Sequence, residues 1–223
     1  KRIQPSLFLV LVGSLILGST APTASAAILT LTPGQKSIEG VTLSKDAIFQ
    51  SEGKPVTLKP YASGIRKKKV AIFWAKVYVG QIFAPAGLTV PPPSLKEARE
   101  TLSKQPVVAL TMTFLRDVSA SRQKDAFEDA FETNGVDPKS DELKPLLEIV
   151  EKGGDAKDTL TTTIVFERRA NGTEWIHYEN GKGEIQSMGF EKGMIAKVLS
   201  IWIGKPADSG MERLQNQFLG KKD

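Results

Sequence analysis

The sequence predicts an α+β protein: an antiparallel β-sheet covered by helices on one face, an open-faced β-sandwich. Three observations carry that expectation. Val108, Leu110, Met112 and Phe114 alternate as a half-buried strand does. Asn171-Gly172 and Asn180-Gly181 are hairpin signals that separate three short β-prone segments. Apolar residues at helical spacing come in blocks around these strands instead of alternating with each strand, which argues against a parallel βαβ sheet.

The elements follow in order. Lys1 and Arg2, an apolar run from Leu7 to Leu17, and Ala24-Ser25-Ala26 match a charged region, a hydrophobic region and a small-residue cleavage site. Residues 1–26 are therefore expected to be a signal peptide, and residues 27–223 one domain, periplasmic or secreted. The apolar run is shorter than the roughly 20 residues that span a bilayer, so no membrane span is expected after cleavage. Residues 27–40 hold turn signals at Pro33-Gly34 and Gly40, and Val41–Phe49 reads as the first strand. Val56–Leu58 reads as a short strand, and 65–83 as one or two strands. Pro91-Pro92-Pro93 breaks the pattern, and Ser94 can cap a helix to about Ser103.

The next strand is read as 107–116, whose parity places Arg116 on the core face beside Phe114. Ser119 or Ser121 can cap a helix carrying Phe127, Ala130 and Phe131, and Leu143, Leu146, Leu147 and Val150 mark another. A meander is expected over about 159–169, 173–178 and 182–188. A helix with Ile195, Val198, Leu199 and Trp202 on one stripe follows, and Asp208 can cap a last one with Met211, Leu214 and Phe218 inward.

Composition excludes several functions. There is no Cys and only one His, so disulfides, thiolate ligands and cysteine nucleophiles are absent. No Walker loop, dinucleotide fingerprint or H-E-x-x-H motif occurs, so metal catalysis and a serine triad are disfavoured, and no cofactor or metal is expected. His177 reads as a solvent-facing strand residue. Net charge is +5 for the whole chain, lowered by two when Lys1 and Arg2 leave, too mild to imply nucleic acid. A monomer is expected.

Ordered segments carry a family resemblance. Gly64-Ile65-Arg66-Lys67-Lys68 followed by Lys76-Val77-Tyr78-Val79-Gly80 resembles the opening G-x-R-x-K and K-V-Y motifs of the chalcone isomerase-like family. Met112 to Ser119 is similar to its F-x-R-x-V strand end. Ser200 to Pro206 with Leu219-Gly220 resembles its C-terminal I-W-L-G-x-x-P and L-L-G. The family fold is the one read above from the residues.

In fatty-acid-binding members, the matching Arg and Tyr hold a ligand carboxylate at the inner end of an apolar cleft. The resemblance thus implies Arg66 and Tyr78 as ligand-binding residues, a guanidinium fork and a phenol. Twelve residues of straight strand span about 40 Å. Both can meet one carboxylate only if the chain reverses near Ile72, within a Val70–Trp74 stretch that has no Gly, Pro, Asn or Asp. Where plant chalcone isomerases carry a catalytic Tyr and Asn, this chain has residues near Ser119 and Ala126, and a Thr of those enzymes is replaced by Tyr78. True chalcone isomerase activity is not implied, and no catalytic residue is assigned. Arg116 is either an ion-pair partner of Asp117 or Asp125 or a second ligand-binding cation.

The leading expectation is an exported binder of a fatty acid or similar small amphipathic carboxylate. Alternatives are an isomerase or intramolecular lyase using Arg66 and Tyr78, and an envelope structural or interaction module whose basic strip, residues 66–69, faces an anionic surface. A binder should show a closed apolar cavity with one polar end, an enzyme an open cleft with a second positioned donor or base, and a structural module an exposed Arg66 and no cavity.

Overall fold

The computed structural model describes residues 27–221. The expected signal peptide lies outside the described residues. Eight strands form one antiparallel sheet in sequence order: β1 (Leu29–Ile38), β2 (Val41–Ser51), β3 (Lys54–Val70), β4 (Phe73–Ala84), β5 (Val107–Phe114), β6 (Thr161–Arg168), β7 (Glu174–Glu179) and β8 (Ile185–Phe190). Helix α1 (Leu95–Leu102) precedes β5. Helices α2 (Ala120–Thr133) and α3 (Lys144–Lys152) precede β6, and α4 (Met194–Ile203) and α5 (Ser209–Phe218) end the chain. Ser94, Ser119 and Asp208 cap α1, α2 and α5 as N-cap acceptors, which decides between Ser119 and Ser121.

Alternation gives the sheet two faces. Tyr78 and Ile82 of β4, Val108, Leu110, Met112 and Phe114 of β5, Ile164 and Phe166 of β6, and Ile176 and Tyr178 of β7 join the helices in the main core. Phe83, Val107, Ala109 and Val165 point the other way and meet Leu29, Ala47, Phe49 and Leu58 in a second, smaller core. The β1–β2 hairpin thus covers part of the face that the helices leave open. Gln81 fastens it there, accepting from Ser44 N at 3.0 Å and donating to Ser44 O at 2.6 Å.

Three readings of the sequence change. The first strand is β1, which runs through the Pro33-Gly34 turn signal. An edge strand tolerates Pro, and the pairing absorbs it as register shifts on either side of Pro33. The chain instead reverses at Glu39-Gly40, both in the left-handed region (φ 50° and 82°), as a two-residue hairpin loop requires. The short strand at 56–58 is part of β3, which continues to Val70. Finally, β5 stops at Phe114: on one side β6 begins only at Thr161, while on the other β4 runs on past this point paired with β3 alone.

Candidate functional site

β3 and β4 are the two arms of a hairpin that turns at Ala71-Ile72, with Val70 paired to Phe73. The reversal that the Arg66–Tyr78 expectation needs therefore exists, at the expected place. No Gly or Asn sits in the loop; Ala71 itself takes the left-handed conformation, φ 53°. Seventeen residues of β3 and twelve of β4 fix this turn through their long ladder, so tertiary pairing overrides poor turn chemistry. The register sets Arg66 directly opposite Tyr78, and Gly64 opposite Gly80.

The two glycines shape what lies above them. A side chain on Gly64 would strike Gln217 Oε1 and Leu214 Cδ1, both at 2.9 Å, so Gly64 allows α5 to lie directly on β3. The ring of Tyr78 lies against Gly80, where an added Cβ would sit 3.4 Å from the ring carbon Cε2, with Phe218 beyond. Gln217 Oε1 accepts from Ile65 N at 2.8 Å, and the buried Gln217 Nε2 has no partner among the described residues.

Arg66 is not open to solvent: its side chain is 11% exposed. Nη2 donates to Asp208 Oδ2 at 2.6 Å, and Nη1 donates to the Lys67 carbonyl. Asp208 also accepts from Gly210 N (2.9 Å) and Met211 N (2.8 Å), as the N-cap of α5. Burial raises the Asp208 pKa, but the Met211 N–H, the Arg66 charge and its bond, and the Gly210 N–H together outweigh this and leave it below its usual value.

Tyr78 is buried, edge-on to Phe114 at 5.7 Å between ring centroids. Its Oη accepts from Trp202 Nε1 at 3.2 Å. Burial raises its pKa, and the nearby Arg66 charge opposes without reversing this, so the phenol keeps its proton. That proton meets no acceptor among the described residues. The anchor thus holds a guanidinium gripping a carboxylate, beside a phenol with a donor to spare that lies against Phe114 and Trp202.

Arg116 is elsewhere. Because β5 ends at Phe114, the core-face parity expected for Arg116 does not hold, and the residue is exposed in the bend that follows. It is ion-paired with neither Asp117 nor Asp125; Asp117 is held by Lys157 Nζ and by Asp158 N, each at 3.0 Å.

His177 also departs from its expected place. It is buried on the face opposite the helices, 5.3 Å from the Phe49 ring and 6.2 Å from Trp175. Nδ1 bonds Ser187 Oγ at 2.7 Å and Nε2 bonds Glu167 Oε2 at 3.2 Å. Burial lowers the His177 pKa despite the Glu167 charge. Burial raises Glu167, but bonds from Ser51, His177 and Arg169 together bring it below its usual value. A neutral imidazole between an ionised carboxylate and a hydroxyl donates from Nε2 and accepts at Nδ1. The exposed Ser187 lines neither cavity described below, and the cluster ties β2, β6, β7 and β8 together.

One cavity is an open groove of ≈ 560 Å³ lined by Arg169, Trp175 and Phe190 among others. The second, ≈ 140 Å³, lies between the β1–β2 hairpin and Gln81, Thr111, Thr113 and Thr161. Neither touches Arg66 or Tyr78. The anchor is packed, not hollow. Sequence reasoning placed Asp208 as a helix cap and Trp202 on a core stripe, and nothing local marked either as a partner of the anchor.

A meandering antiparallel sheet with helices on one face, with Tyr78 buried and Arg66 partly buried beneath them, defines the open-faced α+β sandwich. The chain belongs to the chalcone isomerase-like family, whose family model matches residues 35–220. A crystal structure of a fatty-acid binding protein from Arabidopsis thaliana is similar at 14% identity and a TM-score of 0.46, covering 72% of this chain and 88% of that one. Among curated proteins no significant match is found.

Proposed function

We propose that this is an exported protein that binds a small amphipathic carboxylate such as a fatty acid, with Arg66 and Tyr78 as its polar anchor and no chalcone isomerase activity. One observation carries the reading: Tyr78, in register with Arg66, is a buried phenol that accepts from Trp202 and donates to no described residue. A ligand carboxylate supplies the missing acceptor while taking the guanidinium fork. Asp208 already occupies that fork, so binding exchanges the protein's own carboxylate for the ligand's, and the packed helices α4 and α5 must part from the sheet to admit the tail. The Arg66 side chain is 11% exposed, which goes against the reading as a purely structural module, whereas the closed apolar cavity expected of a binder is not met by either cavity described above.

The test is native mass spectrometry on protein purified without detergent, alongside Arg66→Ala and Tyr78→Phe. The expected result is a carboxylic acid carried by the parent, absent from folded Arg66→Ala and reduced in Tyr78→Phe. A parent that is empty and takes up no fatty acid at micromolar concentration overturns the proposal.

A further inference from the structure

The β3–β4 hairpin is longer than the sheet it belongs to. β4 pairs with β5 only from Tyr78 onward, whereas β3 and β4 remain paired to Val70 and Phe73. Beyond the Lys67–Lys76 pair, no third strand among the described residues joins the ribbon. At its tip, Ile72 and Phe73 are 82% and 69% exposed, the highest values among the exposed large apolar side chains of the described residues, and neighbouring Val70 is 53% exposed.

Isolated exposed apolar residues are ordinary, but a contiguous cluster at the end of a protruding turn is not. The cluster stabilises nothing inside the fold. Its surroundings are basic. Lys68 and Lys69 are exposed just before it, and Lys76 just after, bonded to Glu39 Oε2 at 2.6 Å. Arg213 of α5 stacks over Trp74, 4.3 Å from the ring centroid. From Ile65 to Gly80 the chain has five basic residues and no acidic one.

We infer that this tip docks on an anionic lipid bilayer. The three apolar side chains enter the acyl boundary, half-buried Trp74 sits near headgroup depth, and the lysines stay among the lipid phosphates. The shape favours a bilayer over a protein groove. The apolar group is a narrow convex point ringed by long, flexible cations, which a fluid anionic surface accommodates without a complementary pocket. The inference stands independently of the ligand at Arg66.

The test is co-sedimentation of the full chain with vesicles of 30% phosphatidylglycerol in phosphatidylcholine, and with pure phosphatidylcholine. The parent is compared with Ile72→Asp/Phe73→Asp and with Lys68→Glu/Lys69→Glu. Any contribution of residues 1–26 is common to all three. Both variants change exposed side chains, and circular dichroism checks that they fold. The expected result is partitioning of the parent to anionic vesicles about tenfold stronger than either variant, weakening as salt rises. Equal partitioning of parent and variants overturns the inference, as does a parent that stays in the supernatant. A concentration-dependent dimer lost in the apolar-tip variant, without vesicle binding, overturns it in favour of self-association.

Discussion

Asp208 does two jobs, and two substitutions separate them. As an N-cap it accepts from Gly210 N and Met211 N, a role whose loss costs about 1 kcal/mol. As the partner of Arg66 it forms an ion pair whose side chains are 11% and 37% exposed. Exposed pairs contribute less than about 1 kcal/mol, while breaking a fully buried one costs about 3–5 kcal/mol. A half-buried pair falls between, at about 2 kcal/mol. Asp208→Ala removes both roles and should cost about 3 kcal/mol. Asp208→Asn keeps the cap and should cost about 2 kcal/mol. For a domain of this size, these correspond to falls in Tm of about 6–12 °C and 4–8 °C.

Urea unfolding followed by tryptophan fluorescence measures both. The same exchange gives binding the opposite sign. If a ligand carboxylate must displace Asp208, removing that charge in Asp208→Asn strengthens fatty-acid binding by up to about thirtyfold, the equivalent of 2 kcal/mol. Equal losses of stability in the two variants would refute the division between cap and ion pair. A destabilised Asp208→Asn that binds no tighter, or more weakly, would refute the displacement.

Gly210→Ala should destabilise by about 3 kcal/mol, because the new Cβ would lie 1.7 Å from the Lys67 carbonyl oxygen and 2.1 Å from Arg66 Nη1. In an open helix the same change would stabilise by about 1 kcal/mol, so the sign of the shift in urea midpoint decides whether α5 sits that closely on β3. Stability should also fall in two stages on acidification. The folded protein holds His177 below its free value, so its contribution is complete above about pH 6.5 and is lost as pH drops from there through the lower folded value. Glu167 and Asp208, also held low when folded, keep their full contributions down to the ordinary carboxylate range, near pH 4, and lose them as pH falls from there through their lower folded values. His177→Gln should remove the first stage only; unchanged Tm in the parent between pH 7.5 and 5.5 would refute that assignment.

Periodicity and turn chemistry made much of the fold legible. The alternation of β5 and β6, the stripes of α2 to α5 and the caps Ser94 and Asp208 are local signals, and each ended where it pointed. The motif pair Arg66 and Tyr78 could be named from its resemblance to a family, and its need for a reversal near Ile72 followed from strand length alone. Local signals failed where pairing decided the outcome. Pro33-Gly34 lies inside β1, Ala71-Ile72 turns without a turn residue, and β5 ends two residues before Arg116, where β6 reaches no further although β4 does.

The sequence by itself determined which side chains face the helices and which face away, because a strand's period of two follows from its covalent geometry. It also supplied the cation and the phenol. Only the tertiary structure decided that Arg66 is held by Asp208, 142 residues further on, that Tyr78 receives the Trp202 N–H, and that His177 is buried under the β1–β2 hairpin. Those partners come from elements that meet only when sheet and helices pack, and neither the cap signal at Asp208 nor the core stripe at Trp202 says which strand it will cover.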